Sequence, residues 1–164
     1  MDSTGKVGGT ASRRGLLRLI VLSPAAAWLQ AARAQATDYA SPREALDAID
    51  ALDADVASRL EAIGAAVPGA RAFVESLSRD HVRHRDDRRR IRRRLGLGTP
   101  SDPEPGSADP DLAGLRAAQE ALVYAHAEGL PALADPSAAN TLARHMVELS
   151  RHLTVIDLWL EGES

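Results

Sequence analysis

Cysteine is absent from the 164-residue chain, and this absence excludes disulfides, thiolate metal sites, iron–sulfur clusters and cysteine nucleophiles. Aromatic residues make up only 3%, so the core must be aliphatic. Few residues are β-branched while alanine is common, which favours helices over a β-sandwich or barrel. The sequence has no Gly-rich phosphate loop and no Gly-x-Ser-x-Gly elbow, so Ser-His-Asp hydrolysis has no support. The hydrophobic content of 45% and the net charge of -3 predict one folded domain.

The N-terminal segment has the three parts of a cleavable export signal. A basic stretch around Arg13-Arg14 precedes an apolar run over residues 19–32, and small residues follow as far as Ala34. The paired arginines resemble a twin-arginine (Tat) signal, so residues 1–34 are expected to be a Tat-type signal peptide with the Tat export machinery as its partner. A membrane anchor or a buried helix is the alternative, but the run contains Pro24 and is shorter than the ~20 apolar residues that a span needs.

Removal of residues 1–34 leaves an acidic domain. The removed part holds five basic residues and one acidic residue, so the remainder has a net charge of -7. An acidic domain is not an obvious partner of nucleic acid. We therefore expect an exported protein, periplasmic or extracellular, with no nucleic-acid partner and no stable membrane span after cleavage. The resemblance to a Tat signal implies folded cargo, often loaded with a cofactor.

Four later segments have the apolar spacing of amphipathic helices. Ser41-Pro42-Arg43-Glu44 opens the first with an N-cap, a proline at the first helical position and a capping box, and Pro68-Gly69 ends it. The second ends at Gly96, the third opens near Asp111, and the fourth follows the turn at Asp135-Pro136-Ser137. Four such helices bury one another as a bundle.

The connection between the second and third helices, residues 96–110, is rich in Gly, Pro and Asp and predicts neither helix nor strand. Fifteen extended residues reach ~50 Å, whereas a 25-residue helix is ~37 Å long. The linker can therefore travel the length of the bundle. The predicted fold of residues 41–161 is all-α: a four-helix bundle of ferritin-like type, with two antiparallel hairpins joined by a long crossover. A loose loop on an up-down-up-down bundle is the alternative.

All five histidines of the chain can be placed on core-facing helical stripes. A neutral imidazole inside a bundle needs a partner for each ring nitrogen, or its burial costs free energy. Histidines that converge from three helices can meet this need by binding a metal or by hydrogen-bonding to carboxylates. Carboxylates lie close in sequence, since Asp87 follows His84 by one turn and Glu148 follows His145 by one turn. The candidate metal ligands are His81, His84, His126, His145, Glu148 and His152.

The segment His81-Val82-Arg83-His84-Arg85-Asp86 resembles small exported members of the ferritin-like superfamily, over residues 41–161. The resemblance implies iron, while imidazole and carboxylate ligands also suit zinc, manganese and copper(II). Di-iron members carry Glu-x-x-His on two helices. This chain has the reverse order, His145-x-x-Glu148, so a single mononuclear site, or no site, fits as well.

Nine arginines lie between Arg79 and Arg94. The stretch predicts a helix flank that forms ion pairs with acidic residues of the first helix, among them Asp47, Asp50 and Asp53, and a docking face for a protein partner is the alternative.

Two main functions follow from these patterns. One is an exported helical bundle that binds a divalent transition metal through core histidines and carboxylates, with a storage, buffering or redox role. The other is a non-catalytic accessory subunit with structural histidines and the Arg-rich helix 79–94 as its docking face. A weaker third is an enzyme that uses His/Asp acid–base chemistry. No catalytic residue is assigned, and the sequence leans away from an enzyme.

Overall fold

The computed structural model describes residues 39–100 and 108–162. Within these ranges the chain is all-helical, with four long α-helices, a single 3-10 turn at Leu130–Ala132 and no strand. This confirms the predicted all-α class and the number of helices, which are α1 (Pro42–Ala66), α2 (Arg71–Arg94), α3 (Leu112–Gly129) and α4 (Pro136–Gly162). The predicted signal peptide over residues 1–34 lies outside the described residues, as do linker residues 101–107. None of the described helices combines the length and the apolar character that crossing a membrane requires.

Helices α1, α3 and α4 begin where their capping residues predict, and α2 begins without a side-chain cap. The Ser41 Oγ accepts a hydrogen bond from the backbone N–H of Glu44 at 3.2 Å. The Glu44 carboxylate in turn accepts from the backbone N–H of Ala40 at 2.9 Å, one residue further back than in the usual capping box. Asp111 and Asp135 each accept from two backbone N–H groups at the starts of α3 and α4. Side-chain caps satisfy donors that the first turn of a helix leaves unpaired.

Gly96 ends α2, as predicted. Its φ of +66° is a left-handed conformation that glycine adopts without a steric penalty. The backbone N–H of Gly96 donates to the Arg93 carbonyl at 3.2 Å, and that of Leu97 donates to the Arg92 carbonyl at 3.0 Å. These two bonds form a Schellman motif, which stops the helix and starts the linker. The linker residues that are described, 97–100 and 108–110, have no regular structure.

The interior has two parts, one aliphatic and one polar. The aliphatic part follows the predicted stripes, and its fully buried members include Ile49, Leu60, Leu115, Leu122, Leu142 and Ile156. The polar part lies on the inner faces of α2, α3 and α4 and on one flank of α1. It contains all five histidines together with Asp53, Arg88, Arg92 and Gln119.

Contacts between side chains of different helices show which parts of the helices lie next to one another. Asp47, Asp50 and Asp53 follow one another along α1. In that order they contact Arg92, Arg88 and His81 of α2, so the partners in α2 come in reverse sequence order. Between α2 and α4 the reversed pairs are Asp80 with His152, Asp87 with His145 and Arg94 with Asp135. Arg116 near the start of α3 bonds to Asp157 near the end of α4. A Cβ at Gly129, the last residue of α3, would lie 3.3 Å from Ile49 Cδ1, near the start of α1.

Candidate metal centre

The five histidines of the chain form one contiguous group in the core. Each is between 0% and 6% exposed, which confirms that all of them face inward. The rings follow one another with centroid distances of 5.5 Å for His152 and His81, 6.3 Å for His81 and His84, 4.1 Å for His84 and His145, and 6.0 Å for His145 and His126. Helices α2, α3 and α4 therefore bring together every histidine that the sequence singles out.

One nitrogen of each ring is held by an oxygen acceptor. Four of the acceptors are carboxylates from a neighbouring helix, and the fifth is the Leu122 carbonyl, one turn before His126. The pairs are His81 Nδ1 with Asp53 at 2.6 Å, His84 Nε2 with Glu148 at 2.6 Å, His145 Nε2 with Asp87 at 3.0 Å, His152 Nε2 with Asp80 at 3.1 Å, and His126 Nδ1 with Leu122 at 2.8 Å.

These contacts decide which nitrogen carries the hydrogen. A carboxylate or a carbonyl oxygen only accepts, so the nitrogen that faces it carries a hydrogen. In a neutral ring the other nitrogen then has a lone pair. In all five rings this second nitrogen is buried and without a hydrogen-bond partner. Five such nitrogens are thus held in the interior, each on a ring whose orientation an acceptor fixes. Metal-binding histidines have this arrangement, with one nitrogen on the ion and the other donating to a carboxylate or carbonyl.

Each carboxylate that holds a histidine also forms an ion pair with an arginine of α2. Arg88 Nη2 lies 2.7 Å from Asp53, and Arg83 Nη2 lies 2.7 Å from Glu148 and 3.0 Å from Asp80. Asp87 pairs with Arg90. The pattern is therefore histidine, carboxylate and arginine, repeated four times. Arg83 pairs with two of the carboxylates, so four carboxylates are paired with three arginines.

Arg88 and Arg92 belong to a buried ion-pair network with α1. Both are 1% exposed. Arg88 Nε donates to Asp50 at 2.6 Å, and Arg92 Nη2 donates to Asp50 at 2.8 Å and to Asp47 at 2.6 Å. The sequence predicts these ion pairs with α1, but it places the arginines mainly on a solvent-exposed flank of α2. Burial makes the two inner ones a part of the core, while Arg79, Arg83, Arg89, Arg90, Arg93 and Arg94 are exposed.

Burial favours the neutral form of four of the rings, those of His84, His126, His145 and His152. Burial lowers the pKa of His126 to about 3, with a further contribution from the positive charge of Arg88. Burial and the neighbouring His84 ring lower the pKa of His145 to about 4. Burial also lowers the pKa values of His84 and His152. Neutral imidazole is the form that binds metal.

The carboxylates are held in the charged form. Burial alone would raise the pKa of Asp53, but the hydrogen bond from His81 and the charge of Arg88 hold it well below its usual value. The hydrogen bond from His84 lowers the pKa of Glu148. In the pairs His84–Glu148 and His145–Asp87, a charged acceptor and a neutral ring together keep the N–H on the carboxylate side and the lone pair on the other.

The predicted ligand Glu148 lies at the edge of the group. Its Oε2 bonds to His84 Nε2 and to Arg83, so it orients a ring of the neighbouring helix. Asp87 likewise holds His145 of α4 and not His84 of its own helix. The sequence misses Asp80, which holds His152, because Asp80 lies one residue off the inner stripe of α2.

The donors are close together but are not arranged around one point. Across residues 39–100 and 108–162, no three His, Asp or Glu side chains are grouped so that they could hold a metal ion. The carboxylates are turned to the outer ring nitrogens and to arginine. The stacked rings of His84 and His145, at 4.1 Å, are closer than the roughly 5 Å expected for two imidazoles on one tetrahedral zinc with bonds of ~2.0–2.1 Å.

Comparison of the chain with protein-family models, with curated proteins and with solved structures finds no match. The residues of the histidine group therefore carry the functional inference.

The ion pairs at Asp53 generate a first prediction, about stability. Asp53→Asn removes the charge that holds His81 and Arg88, and both partners stay buried. We expect the free energy of unfolding to fall by about 3–5 kcal/mol, because breaking a buried pair leaves an uncompensated charge. The measurement is urea denaturation at pH 7 with a metal chelator present. The matched control is Asp55→Asn, since Asp55 is 44% exposed and pairs with Arg59, and it should cost less than about 1 kcal/mol. Equal losses in the two variants would contradict the assignment.

A second prediction concerns pH. The pKa values of His126 and His145 are lowered to about 3 and about 4 in the folded state, against about 6.5 in the unfolded chain. Below pH 6.5 the unfolded state therefore takes up protons that the folded state does not, so stability falls as the pH falls toward 4. The loss is at most about 1.4 kcal/mol per pH unit for each ring.

The measurement for this second prediction is urea denaturation of metal-free protein at pH 7 and at pH 5. His126 is faced by Arg88 and His84 of α2 and by His145 of α4. His126→Leu removes one titrating ring and should reduce the difference in stability between the two pH values. An unchanged stability of the wild type from pH 7 to pH 5 would rule out neutral buried rings.

Proposed function

We propose that the chain is an exported, ferritin-like helical bundle that binds a divalent transition metal through its core histidines. The observation that carries the proposal is the set of five buried ring nitrogens without a partner, each on a ring whose other nitrogen donates to an acceptor. Hydrogen bonds between the described residues do not account for the set, since a lone pair needs a donor and none of these residues supplies one. A metal ion is a Lewis acid that several such nitrogens can share.

The order of the interhelical contacts supports the ferritin-like part of the proposal. Reversed pairs between α1 and α2 and between α3 and α4 fit two antiparallel hairpins. The end of α2 contacts the start of α4 through Arg94 and Asp135, and the end of α3 lies near the start of α1. The start of α3 then belongs at the far end of the bundle from the end of α2. A linker over residues 96–110 that runs the length of the bundle would connect the end of α2 to the start of α3 in these positions.

The donor set narrows the choice of metal. Imidazole nitrogen suits zinc, copper(II) and iron, whereas manganese prefers carboxylate oxygen. The carboxylates here are engaged with ring N–H groups and arginines. We therefore expect zinc, copper(II) or iron to be retained and manganese to be held weakly. Iron is also the metal that the resemblance to the superfamily implies.

Binding requires a small rearrangement of the rings. His84 and His145 are stacked, so they bind the same ion only after one ring rotates out of the stack. His81, His126 and His152 have ring spacings of 5.5 to 6.3 Å from their neighbours, which are closer to those of rings that share an ion. Storage, buffering and a redox role all fit a buried imidazole site, and the nearly complete burial of the rings favours an ion that is held for a long time.

The second candidate function is a non-catalytic interaction subunit with structural histidines. One observation favours it: among the described residues no three donors surround a common point. The exposed arginines of α2, with Val82 exposed at 55% between them, would then form the docking face. In this case the ring nitrogens are satisfied by buried water, which typically makes about three hydrogen bonds in such a site.

Metal content separates the two functions. The full chain, purified without a His tag, is reconstituted in turn with iron, zinc, manganese and copper. It is expected to hold stoichiometric iron, zinc or copper by elemental analysis, and less manganese. The His84→Ala/His145→Ala double variant removes two donors and should lose it. Asp87→Asn leaves His145 in place but weakens the acceptor that orients it, and should reduce affinity by about 10–100-fold.

The control for this experiment is Leu142→Ala, which removes core volume one turn before His145 without removing a donor. It should keep its metal while losing about 2–5 kcal/mol of stability. Wild-type protein that holds no metal after reconstitution would rule out the metal-binding function and favour the interaction subunit. Metal lost equally from Leu142→Ala and from the histidine variant would show that binding reports only the intact fold.

The export part of the proposal rests on Arg13-Arg14 and the apolar run that follows, and it has its own test. A conservative Arg13→Lys/Arg14→Lys variant keeps the charge of the segment but loses the paired arginines. In a bacterial host with a Tat system, cell fractionation should find the wild type outside the cytoplasm and this variant inside. Arg18→Lys is the matched control and should be exported. Equal export of all three proteins would contradict a Tat signal.

A further inference from the structure

The outer surface where α2 and α4 meet, called here the α2/α4 side, carries two rows of exposed arginines. On α2 the row follows steps of four and seven residues, which keep side chains on one helical face; its members are Arg79, Arg83, Arg90 and Arg94. On α4, Arg144 and Arg151 lie four residues before and three residues after Glu148, so they share its face. Glu148 contacts Arg83 and His84 of α2. The two rows therefore flank the line along which α2 and α4 meet.

Half of these six arginines have no counter-charge in the described part of the chain. Three pair with carboxylates of α2 or α4. The other three do not: Arg79 donates only to the backbone carbonyl of Glu75, and Arg144 and Arg151 form no ion pair with a described residue. An exposed guanidinium without a counter-charge can pair with a phosphate or carboxylate from outside.

The paired arginines extend further into solvent than the carboxylates that they contact. The side chains of Arg83, Arg90 and Arg94 are 47–61% exposed, whereas those of their carboxylate partners are 20–36% exposed. The row on α2 is ~22 Å long at 1.5 Å per residue. A flat surface that approaches the α2/α4 side therefore meets guanidinium groups before it meets carboxylates.

Aliphatic side chains continue the row on α4. Val155 follows Arg151 by four residues and is 38% exposed, and Leu158 follows by three more and is 62% exposed. With them the row that starts at Arg144 is ~21 Å long. Basic and aliphatic side chains on one exposed face are typical of proteins that lie on an anionic membrane surface. The basic groups contact lipid phosphate while the aliphatic groups enter the interface.

Two other occupants fit the α2/α4 side less well. A helix of a partner protein binds in an apolar groove, but Asp80, Asp87 and Glu148 occupy the line between α2 and α4. A second copy that docks through the same side would bring like charges together. Exposed carboxylates of α1, such as Asp47 and Glu61, lie on another helix, so an anionic surface on α2 and α4 does not meet them.

We propose that the α2/α4 side binds the surface of a membrane that contains anionic phospholipids. Arg79, Arg144 and Arg151 are the main contacts to lipid phosphate, and Val155 and Leu158 enter the interface. The contact is peripheral and needs no membrane-spanning helix. It uses the outer surface and not the inner ring nitrogens, so it is independent of whether the histidines bind an ion.

The test reads the α2/α4 side directly in the full chain. Because the chain has no cysteine, Leu158→Cys gives a single attachment point for a small apolar fluorescent dye, which takes the place of the leucine. Glu61→Cys places the same dye on the exposed surface of α1. Vesicles of phosphatidylglycerol and phosphatidylcholine in equal parts should shift the emission of the dye at position 158 saturably to shorter wavelength. Vesicles of phosphatidylcholine alone should not, and the dye at position 61 should respond to neither.

A charge variant in the Leu158→Cys background tests the arginines. Arg79→Gln/Arg144→Gln/Arg151→Gln removes the three guanidinium groups without a carboxylate partner, so the fold should be kept, as circular dichroism can check. We expect the lipid concentration at half-saturation to rise at least tenfold.

The matched control removes the same charge elsewhere. Arg43→Gln/Arg89→Gln/Arg93→Gln changes one exposed arginine of α1 and two of α2. Arg89 and Arg93 lie one and two turns after Arg85, which contacts Asp53 of α1, so they lie on the flank of α2 that is turned away from α4. This variant should stay within threefold of the wild type.

Each contrary outcome would overturn the proposal. No shift at position 158, or equal shifts at positions 158 and 61, would mean that the α2/α4 side is not the contact. Equal lipid requirements of the two triple variants would remove the role of the three arginines. A shift that salt at about 0.5 M leaves unchanged would contradict a contact between charges at an exposed surface. A dye at position 158 that responds to polyglutamate but not to the vesicles would replace the lipid by an acidic protein.

Discussion

The constraint on which the rest of this structure depends is the hydrogen-bonding requirement of a buried imidazole. A neutral ring has one donor and one acceptor, and both must be satisfied or their burial costs free energy. Here the donors of all five rings are satisfied, four by carboxylates and one by a carbonyl. Bringing those carboxylates into a helical core creates a second requirement, because each charge needs a counter-charge. Arginines of α2 supply it, since Arg88 pairs with Asp53, Arg83 with Glu148 and Asp80, and Arg90 with Asp87.

This chain of requirements explains why the polar part of the core lies along α2. His81, His84 and Arg88 occupy successive turns of one face and reach two helices: His81 and Arg88 contact α1, and His84 contacts α4. The same contacts set the register of α2 against both neighbours, because a shift of one turn would break several charged pairs together. Such pairs contribute little net stability over an apolar core, but they penalise alternative registers strongly.

The sequence predicts the helices and the inward direction of the histidines well, since helical spacing determines which side chains share a face. It does not predict how those side chains pair. Asp87 follows His84 by one turn, and Glu148 follows His145 by one turn, yet the structure exchanges the partners between α2 and α4. The register between two helices depends on packing, which no local pattern encodes. For the same reason the sequence misses Asp80 as a partner of His152, and it treats Arg92 as exposed although it is 1% exposed.

The cost of this interior favours a ligand over a purely structural role. Replacing buried ion pairs by apolar residues of similar size is often neutral or stabilising by about 1–4 kcal/mol, so a bundle of this size does not need them in order to fold. The chain nevertheless buries five rings, each with one nitrogen that has no hydrogen-bond partner in the described part of the protein. If the rings served only as structural residues, Leu or Phe would fill the same volume without unpaired nitrogens. An arrangement that fixes every ring by one nitrogen and leaves the other unprotonated is useful when something else binds there.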